Sequence, residues 1–107
     1  MSSGTAAAIS VLLGEGKAAE ADRRLQAARG SLPADEYAAL NRRVAWGWAR
    51  SGQLARGEQL LAADSSVEGL AVSGRIALLK GDVAGAAARL RAAGPYTGTR
   101  DEASARA

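Results

Sequence analysis

Apolar positions recur with a helical period in six segments of the chain, and Gly, Pro or short Ser-rich stretches separate these segments. The pattern predicts six helices, at about residues 5–14, 17–29, 34–51, 53–63, 65–80 and 83–93. Alanine, which has the highest helix propensity, supplies 27 of the 107 residues. The predicted fold class is therefore all-α.

Local signals mark several helix ends. Ser65-Ser66-Val67-Glu68 matches a capping box and predicts the start of the fifth helix. Asp35 and Glu36 fall in the first turn of the third helix, where the helix dipole favours acidic side chains. Gly94-Pro95 is expected to end the sixth helix.

A repeated string begins at three glycines, Gly16, Gly52 and Gly81. Five residues after each glycine there is a small residue, and nine residues after it there is a leucine. The small residues and leucines are, in order, Ala21 and Leu25, Gly57 and Leu61, and Ala86 and Leu90. The glycines are 36 and 29 residues apart, which is within the range of helical-repeat arrays. Each glycine can take a positive φ and end a helix, and the small residue lets the next helix approach closely.

These residues resemble the tetratricopeptide repeat family over about residues 5–95, in units 5–33, 34–64 and 65–95. The resemblance implies an α-solenoid of antiparallel helical hairpins that form a superhelix. The matching signature residues are Gly16, Ala21, Leu25, Gly52, Leu61, Gly74, Gly81, Ala86 and Leu90. Asn41 and Asp64 depart from the pattern, since the family prefers an aromatic and a small residue there. Residues 96–107 are expected to begin a further helix or to form a disordered tail.

The family binds partners on the concave face, which the first helix of each hairpin forms. The resemblance implies that this face carries Arg42, Trp46, Arg50, Arg75 and Leu79. Three of them recur every four residues along one helix stripe. An aromatic ring between guanidinium groups suits a peptide, because arginine pairs carboxylates bidentately and tryptophan supplies contact area. The family's clamp for acidic peptide tails uses Lys and Asn at two key positions, so that specific activity is not expected here.

Two bulky aromatic residues also have a purely structural interpretation. Trp46 is equally compatible with packing on a neighbouring helix while the arginine stems cover it. Trp48 is expected to pack in the core of its hairpin.

Composition excludes several kinds of site. The chain has no Cys and no His, which excludes zinc sites built on those residues, disulfides, and Ser-His or Cys-His triads. The carboxylates occur as adjacent pairs at helix starts or among basic residues, a pattern that does not indicate a catalytic pair. No enzyme activity, cofactor or metal site is predicted.

Charge and hydropathy bear on the remaining partners. The net charge is +3 and the two signs are interspersed, so no nucleic-acid partner is predicted. No apolar run approaches the roughly 18 residues of a membrane span. A cytoplasmic location is favoured, and the bias toward Ala, Arg and Gly is typical of a GC-rich bacterial genome.

The first functional hypothesis is a non-enzymatic interaction module or scaffold that binds a protein or peptide segment on its concave face. The alternative is a structural protein that self-associates into oligomers or filaments, because neither end of the array has a polar cap. The first helix is nearly uncharged, and no helix is predicted to cover Val83, Ala87 and Leu90. A third hypothesis is a segment of a larger regulator or envelope assembly factor.

Overall fold

The computed structural model describes residues 2–94, in which the chain forms six α-helices, a short 3-10 helix at Arg29–Ser31, and no strand. The helices are α1 (Ser2–Gly14), α2 (Ala18–Ala27), α3 (Ala34–Arg50), α4 (Leu54–Leu61), α5 (Val67–Lys80) and α6 (Val83–Ala93). The all-α prediction is confirmed, and the predicted helix ends differ from these bounds by at most three residues. The predictions for residues 96–107 lie outside the described residues.

The helices contact one another most extensively in consecutive pairs, α1 with α2, α3 with α4, and α5 with α6. The central helix α3 also contacts α1 and α5, α2 packs on α3, and α4 packs on α5. No helix within residues 2–94 is long and apolar enough to cross a membrane.

The buried core is divided into two clusters that share α3. The first core cluster joins α1, α2 and α3 and contains Ile9, Ala21, Leu25, Leu40 and Val44. The second core cluster joins α3, α4 and α5 and contains Ala45, Ala49, Leu61 and Ile76. The apolar core is thus spread along the order of the helices rather than gathered at one centre.

The three turn glycines have the left-handed conformation expected from the sequence. Their φ angles are 77° at Gly16, 93° at Gly52 and 88° at Gly81. In each turn the residue after the glycine donates its backbone N–H to the carbonyl five residues earlier, as in Schellman caps. These three hydrogen bonds join Lys17 to Leu12 at 2.8 Å, Gln53 to Trp48 at 2.9 Å, and Asp82 to Ala77 at 2.9 Å.

The start of α5 corrects one prediction. The N-cap is Ser66, whose hydroxyl oxygen accepts a hydrogen bond from the Gly69 backbone N–H at 3.0 Å. The capping box predicted from Ser65 is therefore wrong by one residue. The reason is Asp64, whose carboxylate accepts from both the backbone N–H and the hydroxyl of Ser66 and so orients that hydroxyl toward the helix.

Small residues allow paired helices to approach closely. A Cβ atom on Gly57 of α4 would lie 2.7 Å from the backbone carbonyl oxygen of Ala45 in α3. On α5, a Cβ atom at Gly74 would lie 2.9 Å from Cγ of Leu90 in α6. The close approach predicted at the small position of the repeat is thus present at Gly57.

We expect Gly57→Ala to lower the free energy of unfolding by up to about 2 kcal/mol. Alanine gains about 1 kcal/mol of intrinsic helix propensity, but overpacking against a neighbour typically costs about 1–3 kcal/mol. Here the neighbour is a backbone oxygen, which moves only if α3 and α4 separate. The measurement is urea denaturation followed by circular dichroism.

The matched control is Gly14→Ala, since a Cβ on this helical glycine meets no atom within 4 Å. It should leave stability unchanged or raise it slightly. Equal stabilisation by both substitutions would contradict the close contact between α3 and α4.

Candidate functional site

Four of the five residues predicted to bind a partner lie together on the exposed side of α3 and α5. Trp46, Arg50 and Leu79 line an open depression with a volume of about 450 Å³, together with Ala49, Gly52 and Leu54. The guanidinium carbon of Arg75 stands 4.5 Å from the centroid of the Trp46 ring. We call the depression and the adjoining Arg75 the α3–α5 groove.

Trp46 combines the two roles that the sequence left open, packing inside the protein and forming part of a candidate binding surface. Its ring is partly buried against the second core cluster, and Arg75 covers one ring face in a cation–π contact. Its remaining surface forms part of the wall of the groove. Packing thus holds the ring in place, and a rigid aromatic side chain loses little entropy on binding.

Arg42 does not share in this surface, although it belongs to the same predicted stripe. Its Nη1 atom lies 3.2 Å from Oδ2 of Asp64, and only 15% of each of these side chains is exposed. Burial by itself raises the pKa of Asp64, but hydrogen bonds from Ser66 and the Arg42 guanidinium outweigh it and lower that pKa. The pair holds the loop between α4 and α5 against α3, and the charge of Arg42 is neutralised within the chain.

The groove has an apolar floor and a cationic rim. Leu79 is 53% exposed, and Leu54 lies partly exposed beside it. Among residues 2–94, no carboxylate lies within ion-pairing distance of Arg50 or Arg75. This arrangement can accept an aliphatic side chain whose neighbour carries a carboxylate, because guanidinium groups pair carboxylates with defined geometry. The same part of the chain holds no group of three acidic side chains that could bind a metal ion.

A buried carboxylate that the sequence analysis did not single out links three helices. Asp22 on α2 is 5% exposed and is the one buried charged residue among those described. It accepts hydrogen bonds from Nη2 of Arg56 on α4 at 2.9 Å, from Nε1 of Trp48 on α3 at 3.0 Å, and from Nε2 of Gln26 at 3.3 Å. We call these four residues the Asp22 network.

The Asp22 network also explains the position of Trp48. The ring packs against the first core cluster, which joins α1, α2 and α3, whereas the sequence placed it in the core of its own α3–α4 hairpin. Its indole N–H is satisfied by Asp22. Trp48 and Trp46 are two residues apart on α3, so their rings point to nearly opposite sides of the helix. The network therefore fixes the rotation of α3 and with it the direction in which Trp46 faces the groove.

The Asp22 network makes stability depend on pH. Burial alone raises the pKa of Asp22, but the hydrogen bonds from Arg56, Trp48 and Gln26 and the charge of Arg56 outweigh it. In the folded state the pKa of Asp22 is therefore lower than its ordinary value of 3.8. A group with a depressed folded pKa contributes stability above its unfolded pKa and loses that contribution as the pH falls through the folded value.

We expect Asp22→Asn to lower the free energy of unfolding at pH 7 by about 1–2 kcal/mol, because charged hydrogen bonds are lost while the shape is kept. The variant should also lose less stability than the wild type when the pH falls below about 4, the unfolded pKa of aspartate. Urea denaturation between pH 7 and pH 2.5 measures both effects. Glu20→Gln on the exposed side of α2 is the control and should follow the wild-type curve. An Asp22→Asn curve parallel to the wild type at every pH would argue against the network.

A scan against protein-family models, a search of curated proteins and a search of solved structures all find no match to this chain.

Proposed function

We propose that the chain is a tetratricopeptide-like array of three helical hairpins, stacked as a short solenoid. Consecutive helix pairs, the same glycine cap in each pair, and contacts from α3 to both α1 and α5 support this arrangement. In such an array each pair buries its apolar face on the next, which fits a core divided into two clusters around α3.

On this array we propose a non-enzymatic binding function, in which the α3–α5 groove holds an extended segment of a partner protein. The observation that carries the proposal is the stacked pair of Trp46 and Arg75 beside the exposed Leu79 and the guanidinium of Arg50, which forms no ion pair with a carboxylate of residues 2–94. Aromatic and arginine side chains supply most of the energy at many protein interfaces. The chemistry favours a segment in which aliphatic and acidic residues alternate.

A peptide of about ten residues with alternating leucine and glutamate is the probe, since this length gives an extended chain of roughly 33 Å. Titration into the ¹⁵N-labelled protein should shift the indole N–H resonance of Trp46. The Trp48 indole serves as an internal reference, because its N–H is bound to Asp22 away from the groove. A peptide with glutamine in place of glutamate should bind more weakly, with little dependence on salt.

Arg50→Ala should raise the dissociation constant of the acidic peptide about tenfold, which corresponds to the loss of one charged contact of about 1.4 kcal/mol. Arg23→Ala, an exposed arginine on α2, makes the same change in net charge outside the groove and should have little effect. Leu79→Ser should also weaken binding. Equal weakening by Arg50→Ala and Arg23→Ala would indicate attraction by net charge alone and would contradict a site in the groove, as would shifts that leave the Trp46 indole unmoved.

A second candidate function is self-association of the chain through its two ends. It is favoured by a separate observation, the exposure of apolar side chains on α1, α5 and α6.

A further inference from the structure

Successive helix pairs contact each other at positions that can be counted from the turn glycine of each pair. These positions lie five before, three before and two after the glycine. Leu13 and Ala18 lie three residues before and two residues after Gly16, and Gly47 lies five before Gly52. A Cβ atom on Gly47 would lie 2.6 Å from Cδ2 of Leu13 and 3.7 Å from Cβ of Ala18. The positions three before and two after the glycine in one pair thus meet the position five before the glycine in the next.

Where α3 and α4 pack on α5, the same positions lie in or against one core cluster. Ala49 lies three before Gly52, Leu54 lies two after it, and Ile76 lies five before Gly81. Ala49 and Ile76 belong to the second core cluster, and Leu54 packs against that cluster. The positions three before and two after one turn glycine therefore lie with the position five before the next, by direct contact at the first junction and within one core cluster at the second. We call this pattern the shared register.

At the first and last helix pairs, some residues at these positions are exposed instead of packed against another pair. Val11 occupies the position five before Gly16 and is 60% exposed. Leu78 and Val83 occupy the positions three before and two after Gly81, and they are 46% and 69% exposed. Together they account for three of the four exposed large hydrophobic residues among those described. The fourth, Leu79, lines the α3–α5 groove.

The two exposed sets belong to opposite ends of the stack. Val11 and Leu13 are two residues apart on α1, which is a rotation of about 200° around the helix axis. Since Leu13 faces α3, Val11 faces away from it. By the same spacing on α5, Ile76 is buried toward α3 and α4 while Leu78 points outward. One molecule cannot bring its own two ends together, so a surface that presents the other set has to come from a separate chain.

We propose that this separate chain is a second copy, bound head to tail, an inference that rests on the stacked hairpins and the self-association proposed above. Leu78 and Val83 of one copy pack on Val11 of the next, as Leu13 and Ala18 pack on Gly47 within the chain. A second copy is favoured by this complementarity, because the chain itself carries both halves of the contact that Leu13 and Ala18 make with position 47. Such a contact is heterologous, so it extends into a row of copies instead of closing at a dimer.

The association is weaker than the contacts inside the chain. Inside the chain, an ion pair accompanies each contact between helix pairs. Asp22, six residues after Gly16, pairs with Arg56 at 2.9 Å, and Glu58, six residues after Gly52, pairs with Lys80 at 3.2 Å. The equivalent residue of the last pair is Ala87, which has no charge to contribute. The row of copies should therefore form reversibly, at high micromolar protein concentrations or above.

Sedimentation equilibrium of the full 107-residue chain tests this proposal. The average mass of the wild type should rise above the 10.8 kDa of one chain as the concentration approaches about 1 mM, where a weak contact becomes populated. Val11→Glu and Val83→Glu each place a charge in the contact and should need at least about tenfold higher concentration to reach the same average mass. Both side chains are exposed, so neither substitution disturbs the core, and circular dichroism checks the fold.

A mixture of the two variants separates head-to-tail association from any other kind. The Val11→Glu chain retains an intact Leu78 and Val83 face, and the Val83→Glu chain retains an intact Val11 face. Mixed in equal amounts, they should form a dimer of one chain of each kind and stop there, because the two remaining faces both carry glutamate.

Ala55→Glu is the matched control. It adds the same charge three residues after a turn glycine, a position that is exposed in all three pairs, and it should associate like the wild type. A wild-type chain that remains at 10.8 kDa throughout would overturn the proposal. Undiminished association of either glutamate variant, or an equal mixture that stays monomeric, would overturn it as well. Peptide binding in the groove is independent of these outcomes, because Val11 and Val83 lie outside the groove.

Discussion

The close approach of α4 to α3 at Gly57 sets the packing of the three helices α3, α4 and α5. With no side chain between the two helices, the backbone of α4 lies against the carbonyl of Ala45. Ile76 of α5 can then reach the same point, since its Cδ1 atom lies 3.2 Å from the Cβ position of Gly57. The absence of a side chain at Gly57 therefore leaves room for Ile76, and the second core cluster extends from α3 and α4 to α5.

The groove and the two ends are consequences of the same arrangement. On α5, Arg75 and Leu79 border the α3–α5 groove, while Ile76 is buried and Leu78 is exposed beyond it. One helix therefore supports the core, a candidate binding surface and a candidate assembly surface on different sides. Separate substitutions can test the two surfaces because the residues that form them differ.

Much of the fold could be predicted because its signals are local. The helix periods, the turn glycines and the small residue after each turn are all readable within about ten residues of sequence. The Asp22 network could not be predicted, since Asp22 meets Trp48 and Arg56, which are 26 and 34 residues away. The cap of α5 was predicted one residue too early because Glu68 gives Ser65 the capping-box spacing, whereas the contact with Asp64 that orients Ser66 is not part of that motif.

Only part of the candidate site could be predicted, because local spacing does not show contacts between residues that are distant in the sequence. A spacing of four residues places Arg42, Trp46 and Arg50 on one stripe of α3, but it does not show that Asp64 lies opposite Arg42. The departure of Asp64 from the family pattern was the available signal, since a carboxylate at a position expected to be small needs a partner. Asn41, the other departure in that unit, likewise binds the chain itself, donating to the carbonyl of Leu60 at 2.9 Å.

A disulfide between copies tests whether the shared register found inside the chain also operates between chains. Within the chain, the Cβ of Ala18 lies 3.7 Å from the Cβ position of Gly47, a separation that suits a disulfide. Val83 and Val11 are the equivalent pair between copies, and the natural chain has no cysteine. A chain with both Val11→Cys and Val83→Cys, mildly oxidised, should give a ladder of multiples of 10.8 kDa on a non-reducing gel, while a chain with Ala55→Cys and Val83→Cys should not. A single monomer band from the first variant, or the same ladder from both, would contradict the shared register.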